Sequence, residues 1–239
     1  LFIRSHERLR FVDLGSRTEN LLRYQVSLQR ESYPTPEALE TFYRQIAIDL
    51  RAVPGVRQAA YFGPTLPPYD ANVLDIRLKG EDLAGREGAL SVNQHFATND
   101  AFSILQVPLR EGRLFGPEDR RGGQGVGLVS ETLARALAPR GSALGRTLIV
   151  NGSEVVIVGV VADARWNGQR DRRPSGLNLF LSLDQFPQGS LGVPFDASVS
   201  ARSLIDPVRK VVVRRDPAAA LHWIDTMNEA LDFQTASER

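Results

Sequence analysis

Apolar and polar residues trade places with a period of two over residues 22–28, where Leu22, Tyr24, Val26 and Leu28 are separated by Arg23, Gln25 and Ser27. In an extended chain that spacing puts the four apolar side chains on one face, so it predicts a strand with one buried side. The period then changes. Leu39, Phe42, Tyr43, Ile46, Leu50 and Val53 recur every three or four residues and make one helical stripe, with Thr35 as cap and Pro36 at the first position. Val53-Pro54-Gly55 stops the helix, and Val56 to Phe62 reads as a second strand before the turn-rich Gly63-Pro64-Thr65-Leu66-Pro67-Pro68.

The same grammar returns near the other end. Phe195, Ala197, Val199 and Ala201 alternate with polar residues, and Ser203 then caps a helix with Leu204, Ile205, Val208, Val211 and Val212 as its stripe. Leu221 to Met227 follows as a strand, and Asn228 to Gln234 as the start of a terminal helix. Two strand-helix-strand units thus bracket the chain. Between them, roughly 69–190, the pattern is rich in strands: Leu74-Ile76-Leu78, Leu90-Val92 and above all Leu177-Leu179-Leu181-Leu183 alternate, while Val155 to Val158 reads as buried on both faces. Short helices are expected from Asn99 to Leu105 and from Glu131 to Leu137, the second capped by Ser130. Linkers are expected near 63–70 and 185–194. Residues 1–13 suit a short amphipathic helix.

Composition adds limits to this α/β (α+β) picture. A chain of 239 residues with 42% hydrophobic and 24% charged residues can bury a core, as one large domain or as two subdomains. Its 29 basic and 28 acidic residues leave a net charge of +1, far from the one-signed field that draws a protein onto nucleic acid. Lys79 and Lys210 are the sole lysines, a skew that suits a GC-rich genome. With no Cys there are no disulfides and no thiolate metal sites. No apolar run approaches the ~20 residues of a membrane-spanning helix. The chain starts on Leu1 and its one Met is Met227, which implies a piece of a longer protein.

Candidate chemistry is sparse. His6, His95 and His222 lack metal-ligand spacing, and His95, in an alternating strand, reads as an outward or rim residue, as does His222. Gly141-Ser142-Ala143-Leu144-Gly145 has its serine in the wrong place for a nucleophile elbow and reads as a loop. Gly122-Gly123-Gln124-Gly125-Val126-Gly127 lacks the Lys-Ser/Thr of a phosphate loop and reads as a turn. Arg165, Arg170, Arg172 and Arg173 form a basic patch that suits an anion or lipid headgroup, diluted by Asp163 and Asp171, with a solvated loop as the plainer reading; they are the candidate contact surface. The residues call for no catalytic, metal or cofactor site.

Several phrases, in order, resemble the MacB-like periplasmic core domain of FtsX-like ABC-transporter permeases. They are Val12-Asp13-Leu14-Gly15 through Glu19-Asn20-Leu21-Leu22; Tyr33-Pro34-Thr35-Pro36 with Leu50-Arg51-Ala52-Val53-Pro54-Gly55-Val56; and Phe102 to Phe115, ending Val107-Pro108-Leu109-Arg110-Glu111-Gly112-Arg113-Leu114-Phe115. Ser130-Glu131-Thr132-Leu133-Ala134-Arg135, Leu144-Gly145-Arg146 and Val158-Gly159-Val160-Val161-Ala162-Asp163-Ala164-Arg165 complete them. The resemblance is strongest to the duplicated permeases that lack a fused ATPase. Ser130 stands where that family usually has Asn, and Ala138 where an aromatic commonly precedes Pro139.

The resemblance implies a domain between the first two membrane helices, on the periplasmic face of the bacterial inner membrane. Residues 1–17 and 229–239 would be stalk stumps, 18–66 with 191–228 a porter-like subdomain, and 67–190 an inserted, strand-rich, sabre-like subdomain. It implies partners: the permease's own transmembrane helices, a separate or fused ATPase, a second permease copy and a periplasmic protein. The expected role is a non-enzymatic relay of motion between the membrane helices and a substrate or partner, with loop 163–173 as the contact at the far end. Two other roles stand beside it: direct binding of a peptide, lipid or small hydrophobic molecule in a cleft between subdomains, and an independent periplasmic enzyme.

Overall fold

A computed structural model describes residues 15–63, 72–80, 89–164 and 176–236. The first strand, β1 (Leu21–Ser27), forms where the period-two pattern begins, and α1 (Pro36–Arg51) follows with Pro36 at its first turn. Thr35 Oγ1 accepts from the Ala38 amide at 3.3 Å, satisfying one of the donors that a helix start leaves open. Phe42, Tyr43, Ile46, Ala47 and Leu50 are the buried face of α1. The expected strand 56–62 is two pieces, β2 (Val56–Ala59) and β3 (Phe62–Gly63), because Tyr61 turns out of the ladder: its amide and carbonyl bond Thr98, and its hydroxyl donates to the Tyr43 carbonyl at 2.7 Å.

The middle of the chain supplies β4 (Asn72–Leu78), β5 (Leu90–Ala97), α2 (Asn99–Ile104), β6 (Leu109–Gly112), β7 (Val126–Ser130), α3 (Glu131–Leu137), β8 (Thr147–Val150), β9 (Ser153–Val161) and β10 (Asn178–Ser182). Their ladders run β10-β7-β9-β8-β4-β5, and a parallel pairing of β10 with β5 closes the series into a ring of six strands. Closure removes two open edges at once. One face of the ring strands carries Ile76, Leu78, Val92, Val129, Leu148, Val150, Ile157, Leu179 and Leu181, which form one apolar core with Leu133 and Leu137 of α3.

The opposite face of β5, β7 and β10 is also buried, contrary to the one-sided reading of Leu177 to Leu183. There Phe62, Phe102, Phe115, Leu128 and Phe180 join a second cluster beneath the segment 97–115. In β9, by contrast, Val156 and Val158 are only half-buried, so the two-sided burial expected of 155–158 begins later, at Gly159. Two glycines explain how β6 lies so tightly on β9. They are cross-strand partners, and a Cβ on Gly112 would stand 2.3 Å from the Val158 carbonyl oxygen, one on Gly159 2.2 Å from that of Arg113. Neither position admits a side chain.

From β5 the sheet continues without a break. β3 pairs with β5 at Phe62↔Ala97 and with β11 (Ser190–Ala197) at Phe62↔Gly192, and beyond β11 lie β1 and β12 (Ala220–Thr226). Because β11 starts at Ser190, residues 190–194 are strand rather than linker, and the strand ends at Ala197 rather than running to Ala201. The chain then makes a 3-10 turn, Ala201–Leu204, before α4 (Ile205–Arg215). Ser203 does not cap that helix; its hydroxyl donates to the Ser200 carbonyl at 2.7 Å. The open donor at the turn is met from the other end of the chain. Asn20 Oδ1 accepts from the Ala201 amide at 3.1 Å while its Nδ2 donates to the Ala197 carbonyl at 2.8 Å. Last comes α5 (Met227–Ala236).

Candidate functional site

Arg23 sits on the face of β1 opposite Leu22, Tyr24 and Val26, yet only 2% of its surface is exposed. A guanidinium out of water must be paired, and its cross-strand partner in β12 is Asp225. The contact is two-pronged: Nε to Oδ1 at 2.6 Å and Nη2 to Oδ2 at 3.1 Å. Leu22 stands opposite Thr226 in the same ladder, so the segments before β1 and after β12 leave from one end of one strand pair.

Thr226 also starts α5. Its amide donates to Glu229 Oε2 at 2.9 Å and the Glu229 amide donates to Thr226 Oγ1 at 3.2 Å, a reciprocal capping box. Arg202 of the 3-10 turn pairs with the same Glu229 carboxylate, and Met227 and Ala230 are buried. The first turn of α5 is therefore fixed to the body. Beside it β12 carries a bulge, two residues of β12 facing Tyr24 alone, and Trp223 takes φ of 46° there with 54% of its surface exposed. The spacing Thr226-x-x-Glu229 is a helix-start signal and moves the helix one residue ahead of the expected Asn228.

A cleft of about 630 Å³ lies between α1 and the middle of the chain. Glu40, Tyr43, Arg44, Ala47, Ile48 and Arg51 form one wall; Asp100, Arg120, Arg121, Leu183 and Asp184 stand on the other. Two ion pairs cross the gap, Arg121 to Glu37 at 2.7 Å with Glu40 at 3.4 Å, and Arg51 to Asp100 at 2.8 Å. Partial burial pushes the Asp184 carboxyl up, opposed by nearby Arg44. The cleft is thus neither filled nor wholly apolar.

His95 is a correction: it is 2% exposed, stacked on Phe180 at 5.1 Å, with Nε2 3.0 Å from Asn178 Oδ1. Burial pushes its pKa down to about 4, against the Asn178 hydrogen bond. It lies inward because the second face of β5 is covered too. His222 is exposed, as expected, while His6 lies outside the described residues.

Arg165, Arg170, Arg172 and Arg173 also lie outside the described residues, as does the helix expected over 1–13. The roots of their loop are described. Asp163 accepts from the Thr132 amide at 2.9 Å and hydroxyl at 2.7 Å, adding a second cap to α3 beside Ser130. A Cβ on Gly15 would meet the Asp163 carbonyl at 2.5 Å. Asp163 and Ala164, the last described residues before that loop, therefore lie beside Gly15.

The family model for the MacB-like periplasmic core domain matches residues 8–221. The chain belongs to that family. The periplasmic region of MacB from Actinobacillus actinomycetemcomitans superposes with a TM-score of 0.60 at 14% identity, covering 94% of this chain and 95% of the other. The extracellular domain of the noncanonic ABC-type transporter YknZ from Gram-positive bacteria gives 0.54 at 14%, covering 85% and 100%. A domain of a putative permease from Porphyromonas gingivalis gives 0.52 at 17%, covering 86% and 88%. No curated protein matches the sequence. These likenesses agree with the mixed α/β fold, and the MacB-like family places the domain on the periplasmic face of the membrane as part of an ABC-transporter permease. Among the described residues no helix is long and apolar enough to cross a membrane.

Proposed function

We propose that this MacB-like domain relays movement between membrane helices of its permease and a substrate or periplasmic partner. One observation carries the reading: the two outgoing segments leave side by side, joined through Leu22↔Thr226 and the Arg23–Asp225 pair. A rotation of helices attached to both segments would turn the β1–β12 pair as one body, and the sheet continuing from β1 would carry the motion outward. In this reading 1–17 and 229–239 are stalk, 18–66 with 191–228 the porter-like part and 67–190 the inserted sabre-like part. An ATPase, separate or fused, drives it, and a second permease copy completes the transporter. Arg170, Arg172 and Arg173 supply the contact with the partner; if reversing their charges leaves transport unchanged, that role is lost.

The test of the relay is to loosen the joint without unfolding the domain. In the intact permease, Thr226→Ala with Glu229→Ala removes the capping box, at a cost of about 1 kcal/mol to the helix start. ATP hydrolysis should persist while transport per ATP falls. Transport per ATP equal to that of the parent would refute the relay.

A further inference from the structure

A second groove, of about 670 Å³, lies between α1 and α4. Its floor is apolar, made by Val53 and Pro54 just after α1 and by Pro207 and Val211 of α4. Val53 and Val211 are buried, so the floor is fixed to the core. Val213, on the same helix, keeps 46% of its surface exposed.

The charges of this groove do not balance. Among the described residues Asp49 is the one carboxylate that lines it, and Arg215 holds that carboxylate. Lys210 and Arg214 line the groove as well, and neither makes an ion pair among the described residues. The other carboxylates of α4 and its end are engaged: Asp206 by Arg209 at 3.1 Å, Asp216 by the Tyr33 hydroxyl at 3.0 Å and the Ala218 amide at 2.8 Å. The surplus is two full positive charges. Helix electrostatics do not account for both. The dipole of α4 favours Arg214 in the last turn but fades within one turn, and Lys210 lies further in. On one face and one turn apart, the two cations repel each other. The dipoles themselves add little, because α1 ends and α4 begins beside the groove and the two opposite ends offset.

We propose that this groove docks an acidic amphipathic helix of a partner protein. Carboxylates at i and i+4 of a helix stand about 5–6 Å apart, the spacing at which Lys210 and Arg214 present their charges. An aliphatic side chain beside them covers Val53 and Val211, as charged flanks border the apolar seam of a coiled coil. A small anion would meet the cations and leave the floor bare, and a flat membrane surface does not enter a groove between two helices. The docking is separate from the relay. The groove is built by α1 and α4 and not by the β1–β12 joint, so peptide binding and the transport test of the capping box succeed or fail independently.

The experiment is fluorescence anisotropy of a labelled peptide titrated with the 239-residue protein. The peptide has about 20 residues, long enough to be helical, with Glu at i and i+4 beside a stripe of Leu. Two sister peptides carry Gln or Lys in place of every Glu. The Glu peptide should bind one to one with a Kd below about 1 mM, and the Gln peptide about 3–30-fold more weakly, the worth of two exposed ion pairs. Lys210→Glu with Arg214→Glu should weaken the Glu peptide by about tenfold or more and make the Lys peptide the better ligand. Arg77→Glu with Arg140→Glu changes the net charge equally at exposed residues outside the groove and should bind like the parent. All four residues are exposed, so circular dichroism should show the parent fold. No binding of the Glu peptide, equal affinity for the Gln peptide, or the same loss in the Arg77→Glu, Arg140→Glu protein would each overturn the proposal. So would phosphatidylglycerol vesicles that bind the parent and not the Lys210→Glu, Arg214→Glu protein while the peptide binds neither, a result that gives the two cations to a membrane.

Discussion

Removing the Asp225 carboxylate gives the sharpest test of how the two chain ends are held together. In Asp225→Ala the Arg23 guanidinium, whose side chain is 3% exposed, loses the two-pronged contact that offsets its desolvation. Breaking a buried pair from one side costs about 3–5 kcal/mol. The low end applies here, because the Asp225 side chain is 27% exposed and water can reach the charge from that side. For 239 residues the unfolding entropy is about 0.5 kcal/mol/K, so a loss of about 3 kcal/mol lowers Tm by about 6 °C. Arg23→Met with Asp225→Leu removes both charges and should recover at least half of that fall, since the dominant penalty is the stranded cation and not the missing attraction. Scanning calorimetry of the parent, Arg23→Met, Asp225→Leu and the double variant closes the cycle, with Asp225→Ala measured beside it. A shift below about 1 °C in Asp225→Ala, or a double variant no more stable than Asp225→Ala, would show that Arg23 does not depend on this partner.

Three further outcomes follow from the same structure. His95 is held at about 4 when folded and titrates near 6.5 when unfolded; the folded form is neutral, so its contribution is complete above pH 6.5 and is lost as pH falls from 6.5 to 4, by about 3 kcal/mol. Urea unfolding at pH 7.5 and 4.5 should show that loss in the parent and not in His95→Gln, and equal losses in both would remove His95 as the cause. Gly159→Ala drives a methyl against the Arg113 carbonyl at 2.2 Å and should destabilise by about 1–3 kcal/mol, while an Ala at Gly141, where nothing lies within 4 Å, should change the urea midpoint little. Thr35→Ala should cost about 1 kcal/mol through the lost cap of α1, read from the same unfolding curves, and no change would mean that solvent satisfies the Ala38 amide equally well.

Legibility divides by the range over which an interaction acts. α1 and its Thr35 cap, α3 and its Ser130 cap, and the strands β1, β4, β5, β9, β10 and β12 are set by neighbours within a few residues, and the period of the apolar positions shows them directly. The boundaries that shifted, at Tyr61, Ser190 and Ser203, are those where a distant group takes the backbone donor or acceptor: Thr98 for Tyr61, Leu22 to Ser27 for the start of β11, Asn20 for Ala201. The joint was less legible still, because Arg23 and Asp225 lie 202 residues apart and each looks like an ordinary outward charge in an alternating strand.

By itself, then, the sequence determined the alternation of strand and helix, the Thr35 and Ser130 caps and the family phrases, which depend on residues close together in the chain. Tertiary structure alone decided that β10 closes a ring on β5, that His95 points inward, that two ion pairs bridge a cleft beside α1, and that the two outgoing segments leave together. The physical reason is burial. Whether a residue of alternating polarity faces water depends on what covers the other face of its strand, and that cover comes from parts of the chain remote in sequence.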